Sequence, residues 1–123
     1  MVGTNDLDKS EKFYNKLLDT VGLKKIYSDE GCVGYGQKTG PEVVEFYITM
    51  PANGEPATYG NGTQISFLSN TRAEVDKFHA TGIENGGVCE GLPGLRPEGA
   101  STYYSYVRDL NGNKVCAYTD SKD

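Results

Sequence analysis

The sequence predicts an α+β domain of two tandem βαβββ modules that form a cupped, mixed β-sheet with helices on the outside. Three observations predict it. A strand, a helix and three strands recur in the same order in each half of the chain; the two helical segments share a Lys-Phe pair, Lys12-Phe13 and Lys77-Phe78, 65 residues apart; and Tyr35 and Tyr106 stand 71 residues apart, as do Glu45 and Cys116. A six-residue insertion ahead of the last two strands accounts for the change of offset. Repetition at half the chain length points to duplication of one supersecondary unit. Two such units, each covering one sheet face with a helix, leave two bare faces to line a cavity.

Each element has its own signal. Residues 1–4 read as the tail of a strand that runs into Asn5-Asp6, an N-cap pair. Over 7–21, Phe13, Leu17 and Val21 recur every four residues beside Tyr14 and Leu18, opposite Asp8, Lys9, Glu11, Lys12 and Lys16, and Gly22 stops this helix. Strands follow at 23–28, 32–36 and 43–50, separated by Asp29-Glu30-Gly31 and Thr39-Gly40-Pro41. The Pro- and Gly-rich stretch 51–62 is the linker, so module one covers about 1–50 and module two about 63–120 of a single domain, 1–123. In module two, 63–68 is a strand, and Thr71-Arg72-Ala73-Glu74 has capping-box spacing before a helix carrying Val75, Phe78 and Ile83 on one side. After Gly86-Gly87 come a short strand at 88–90, a loop at 91–99, a strand at 102–108, a turn at 109–113 and a last strand at 114–118.

A chain of 123 residues buries roughly two thirds of its unfolded surface, enough for a core without staples. The net charge is -5 and the twelve basic residues form no cluster or stripe, which argues against nucleic acid as a partner. No apolar run approaches the ~18 residues of a membrane helix, and the N-terminal residues carry no basic segment followed by an apolar one. Cys32, Cys89 and Cys116 make an odd count with no CxxC spacing, as expected of reduced thiols. The expected setting is therefore the cytoplasm, with no membrane partner.

Four stretches resemble one known family: Gly3-Thr4-Asn5-Asp6-Leu7 with Ser10 and Phe13-Tyr14; Val33-Gly34-Tyr35-Gly36; Gly62-Thr63-Gln64-Ile65; and Tyr106-Val107-Arg108-Asp109-Leu110-Asn111-Gly112-Asn113-Lys114. Together they are similar to the vicinal oxygen chelate superfamily (glyoxalases, bleomycin resistance proteins and extradiol dioxygenases), and in particular to its lactoylglutathione-lyase-like members. The Arg-Asp-x-x-Gly-Asn turn is the most specific of these matches. The resemblance implies a glyoxalase-like fold, a small-molecule ligand in the cup, a homodimer, and, in metal-using members, ligands from the first and last strand of each module. Those positions map to one place before Met1 and to Glu45, Gln64 and Cys116, where Gln64 stands in place of the usual histidine and Cys116 in place of the usual glutamate.

The residues also carry a reading of their own. Strict alternation puts Val44, Phe46 and Ile48 on one face and Val43, Glu45 and Tyr47 on the other; it likewise gives Gln64, Ser66 and Leu68, and Lys114, Cys116 and Tyr118, to the uncovered side. One carboxylate, one amide and one thiol mix hard and soft donors, so polar lining of a wet cavity is the simpler reading of Glu45, Gln64 and Cys116. The sole histidine, His79, beside Phe78, is expected at the surface or a helix edge, leaving no Ser-His or Cys-His pair for nucleophilic chemistry. Arg96, in the loop before Tyr103 and Tyr104, is placed to pair with a ligand carboxylate or phosphate, or else to stand free in solvent, and Arg108 and Asp109 read as structural.

Two functions from different classes follow, with a ligand-free structural role as the remainder. The first is a metal-free binding module for a small aromatic or polar compound, using Tyr47, Phe67, Tyr104 and Tyr106 with Gln64, Ser66, Arg96 and Cys116. The second is a lyase or isomerase of the lactoylglutathione lyase type, in which Zn, Ni, Co or Mn at Glu45, Gln64 and Cys116 polarises an oxygen while Glu45 moves a proton.

Overall fold

The computed structural model describes residues 1–123. Its elements are β1 (Val2–Gly3), α1 (Leu7–Asp19), β2 (Leu23–Ser28), β3 (Cys32–Gln37), β4 (Phe46–Thr49), β5 (Gln64–Leu68), α2 (Arg72–Glu84), β6 (Val88–Leu95), β7 (Tyr103–Arg108) and β8 (Lys114–Thr119). The repeat is literal in these bounds. Helices over 7–19 and 72–84 differ by 65, and strands over 32–37 and 103–108 differ by 71. Each module is βαβββ, and each forms its own four-stranded mixed sheet, in the orders β1-β4-β3-β2 and β5-β8-β7-β6. In both, the first strand lies parallel to the last, and the other neighbours are antiparallel.

The helices begin where their caps dictate. The Asp6 side chain accepts from the Lys9 N–H, and Thr71 with Glu74 completes a capping box, so donors left over at each first turn are satisfied. Gly22, at φ +84°, takes the left-handed conformation that ends the first helical stretch. One face of α1 buries Phe13, Tyr14, Leu17 and Leu18, and α2 buries Val75 and Phe78. With Val33, Tyr35, Phe46, Ile48, Phe67, Val107, Val115 and Ala117 they form one apolar core that crosses the module boundary, Phe46 meeting Phe67 edge-on at 5.1 Å.

A polar seam also joins the modules. The Tyr14 hydroxyl donates to Asp109 Oδ2 at 2.6 Å, and that carboxylate accepts from the backbone N–H groups of Asn111 and Asn113 and from Asn113 Nδ2, each at 2.9 Å. Asn113 Nδ2 also donates to the Gly3 carbonyl, while Asn111 Nδ2 donates to Thr4 and Ser10. The Arg-Asp-x-x-Gly-Asn turn thus anchors module two to the start of module one.

Four expectations need correction. The strand expected over 43–50 is regular only from Phe46: the Glu45 N–H still donates to the Tyr35 carbonyl of β3 at 2.8 Å, but ahead of it the Val43 carbonyl crosses over Gly36, in the space a Cβ would take. Alternation therefore starts late: Val44 packs over Gly34 beside Tyr47 instead of joining Phe46 and Ile48. The loop expected at 91–99 is mostly strand, since β6 continues to Leu95 through two register shifts at its glycines. Ile83 is exposed, and the buried side of α2 is completed by His79 and Gly82.

Candidate functional site

Each sheet has a face that its helix leaves bare. On the second sheet, Phe67, Val115, Ala117, Ser105 and Val107 are buried; Ser105 Oγ donates to the Val75 carbonyl of α2. The intervening residues must point the other way. They are Gln64, Ser66 and Leu68 on β5, Lys114, Cys116 and Tyr118 on β8, and Tyr104, Tyr106 and Arg108 on β7. Register places Ser66 opposite Cys116, Leu68 opposite Tyr118 and Gln64 opposite Lys114.

This face is dominated by tyrosine. Tyr104 stacks on Tyr106 with centroids 5.8 Å apart and planes 9° apart, and on Tyr118 at 6.0 Å and 25°. Arg96 and Lys114 both lie over the Tyr106 ring, at 5.1 and 5.0 Å. Burial, first of all, raises the Tyr106 hydroxyl above its ordinary pKa. Gln64 Nε2 donates to Ser66 Oγ at 2.9 Å, and Cys116 beside them is 0% exposed. Burial pushes the Cys116 thiol up, with Ser66, Lys114 and Arg96 opposing in part, so the sulfur holds its proton at neutral pH.

The bare side of the first sheet differs. Tyr47 stands edge-on to Tyr27 at 6.4 Å, over a floor opened by Gly34. Glu45 is not on that floor. Because Val44 and Tyr47 both lie over Gly34 and break the alternation between them, Glu45 sits exposed at the rim, with Gln37 Nε2 donating to it at 3.5 Å. There it lines a cleft of about 740 Å³ between the modules, together with Val21, Lys38, Ile65, Ser66 and Leu68. Ser66 and Leu68 belong to both places, so the cleft and the tyrosine-bearing face adjoin along β5.

The predicted site residues therefore form two groups. Gln64, Ser66, Cys116, Tyr104 and Tyr106 share the bare face of the second sheet, with Arg96 at its edge. Glu45 and Tyr47 stay with the first sheet, and only Glu45 reaches the shared cleft. Arg96 is already engaged: its guanidinium donates to the carbonyls of Leu92, Gly94 and Tyr104, fastening the irregular end of β6 to β7. Phe67 is a core residue that shows only an edge to the cleft. Sequence reasoning missed the stack as a unit, although the i, i+2 spacing of Tyr104 and Tyr106 and the outward place of Tyr118 contain it.

His79 corrects a further expectation. It is 9% exposed, packed between α2 and β6, with Nε2 3.1 Å from Cys89 Sγ, so a Cys-His pair does exist. Burial, chiefly, lowers the imidazole pKa. Cys89 pairs with buried Val107, which puts this couple on the helix side of the sheet, away from the tyrosine face.

The resemblance carried by the sequence implies metal ligands at Glu45, Gln64 and Cys116, and these donors do not fit a divalent ion. Glu45 turns to the rim beside Gln37, Gln64 is hydrogen-bonded to Ser66, and Cys116 is a buried, protonated thiol. No three His, Cys, Asp or Glu side chains converge anywhere in the chain. A hard carboxylate and a soft thiol on separate sheets offer no common coordination geometry.

Residues 1–117 match the family model of the Glyoxalase/Bleomycin resistance protein/Dioxygenase superfamily. The chain belongs to this superfamily. Among solved structures, this superfamily member is similar to a glyoxalase/bleomycin resistance protein from Albidiferax ferrireducens T118, at 43% identity and TM-score 0.83, over 97% of this chain and 93% of that one. It is also similar to lactoylglutathione lyase from Agrobacterium tumefaciens, at 25% identity and TM-score 0.64, over 96% and 88%. A glyoxalase/bleomycin resistance protein/dioxygenase family enzyme from Burkholderia phytofirmans PsJN shares the fold at 16% identity and TM-score 0.70, over 98% and 94%. No curated protein matches this glyoxalase-superfamily chain. No helix is long and apolar enough to cross a membrane.

Proposed function

We propose that this protein is a cytoplasmic small-molecule binder whose ligand lies in the inter-module cleft and against the tyrosine face, with no resident metal. The observation that carries the reading is that the two surfaces meet along β5 at Ser66 and Leu68: a cleft lined by polar and apolar residues in equal number borders the face that holds three stacked tyrosines. Aromatic walls with a few convergent polar groups are the usual composition of a ligand site. Leu68, 65% exposed, and Leu92, 68% exposed, are apolar area that a ligand or a second copy of the chain would cover. The reading includes a homodimer in which that second copy closes over the open side. Catalysis of the lactoylglutathione lyase type would need a metal that Glu45, Gln64 and Cys116 are not arranged to hold, and it is not part of the reading.

Thermal denaturation against a panel of small aromatic and polar compounds, with and without EDTA, tests it. A ligand at 100 times its Kd adds about 2.7 kcal/mol to stability. The expected result is stabilisation by some compounds, unchanged by EDTA. Stabilisation that EDTA abolishes and Zn, Ni, Co or Mn restores would replace this reading with the metal-dependent one.

A further inference from the structure

We infer that the tyrosine face of the second sheet is an oxyanion site, so that the ligand is an amphipathic organic anion: its body in the cleft, its carboxylate or phosphate held by Lys114 with the hydroxyl of Tyr106, the ring that Lys114 covers. This rests on the reading that cleft and face hold one ligand, and it adds the ligand's charge and orientation.

The argument begins with donors that the protein leaves free. Tyr14, Tyr27, Tyr35 and Tyr103 each donate their hydroxyl to a protein oxygen. Tyr104, Tyr106 and Tyr118, standing in a near-parallel row on one face, donate to none. Lys114 behaves alike. The ion pairs of the chain are Lys9 with Asp6, Lys25 with Glu11, Lys38 with Asp19 and Arg108 with Glu90, so no carboxylate lies within 4.0 Å of the Lys114 ammonium. The one acidic neighbour, Glu90, is held by Arg108 at 3.0 Å.

Charge supports the same assignment. The chain carries -5 overall, yet this face gathers Arg96, Arg108 and Lys114 against Glu90 alone. The two arginines are committed, Arg96 to carbonyls of β6 and β7 and Arg108 to Glu90 and the Gly112 carbonyl. Lys114 is the cation left for a ligand. An ammonium beside free hydroxyls and no free acceptor matches an oxyanion, whose oxygens accept several charge-assisted bonds at once.

Reach is also suitable. Lys114 pairs with Gln64, and Ser66, on the cleft wall, lies two residues further along β5, about 7 Å at strand rise. A two-ring body with an anionic end spans that distance.

Isothermal titration calorimetry of the full chain with 2-naphthoate, 2-naphthyl phosphate and neutral 2-naphthamide tests the inference. Wild-type protein is expected to bind at least one of the two anions ten-fold or more tighter than the amide, and the ratio of the two anions tells carboxylate from phosphate. In Lys114→Met, which keeps the apolar stem, that preference should fall to about one while amide binding stays. Equal affinity of wild type for all three probes would overturn the oxyanion assignment and leave the cleft reading standing. Binding of the amide only, or a preference that survives in Lys114→Met, would overturn it equally. No heat from any probe, when the compound panel has already yielded stabilising neutral ligands, overturns the assignment alone; with no stabilising compound at all, both fall.

Discussion

Replacing Tyr14 by Phe removes one hydroxyl from the junction between modules and nothing else. The ring, 1% exposed, keeps its packing against Phe13 and Phe46, so no cavity is made. What disappears is a 2.6 Å bond to the Asp109 carboxylate. A hydrogen bond to a charged acceptor is worth about 1.5–3 kcal/mol. Asp109 keeps three other donors, the N–H groups of Asn111 and Asn113 and Asn113 Nδ2, so it is not stranded, and a loss of about 2 kcal/mol is expected. For a chain of this length that lowers Tm by roughly 6–10 °C. Urea denaturation of wild type, Tyr14→Phe, Asp109→Asn and the double variant gives the loss and the coupling energy, expected near 1–2 kcal/mol. A loss under about 0.5 kcal/mol, or additive single effects, would refute the claim that this bond ties α1 to the turn of module two.

Three further outcomes are expected. Burial, chiefly, raises the hydroxyl pKa of Tyr14 and Tyr35 in the folded state, so their contribution is intact below the ordinary tyrosine value of about 10 and declines as pH rises beyond it; a spectrophotometric titration should show exposed tyrosines ionising first and these two only with unfolding, and full ionisation of the folded chain would contradict it. Iodoacetamide should label exposed Cys89 fastest and buried Cys116, its thiol pKa raised, only in denaturant, as read by peptide mass spectrometry; equal labelling of the two in native protein would show that β8 is not covered as described. Addition of Zn, Ni, Co or Mn should leave Tm where EDTA leaves it, and a metal-specific rise that Glu45→Gln abolishes and Cys89→Ser leaves intact would show that Glu45, Gln64 and Cys116 can be brought together.

Much of the fold was legible because its signals are local. The caps at Asp6 and Thr71, the stripe through Phe13 and Leu17 and the two offsets are properties of neighbouring residues, and they located both helices and the duplication. Errors arose where a distant segment decides. Strict alternation expects Glu45 on the bare face, and it stands at the rim instead because Gly36, on another strand, lets the chain cross over and breaks the alternation. The later part of β6 read as loop because its glycines and proline hide a bulged edge strand, held by Arg96 reaching across to β7. His79 read as peripheral because nothing in its own helix announces Cys89 on the next strand. For the site, alternation gives Gln64, Ser66 and Cys116 to one face, and the register of β7 on β8 adds Tyr104 and Tyr106 to it. Which of them keep free donors depends on contacts that only the folded chain supplies.

The most direct test is an amide NMR titration of the protein, in EDTA, with whichever compound stabilises it most. The account predicts that shifts concentrate at Ser66, Leu68, Tyr104 and Tyr118 and at the cleft wall near Glu45. Shifts confined to the α2–β6 side around His79 and Cys89, with the tyrosine strands unmoved, would contradict it.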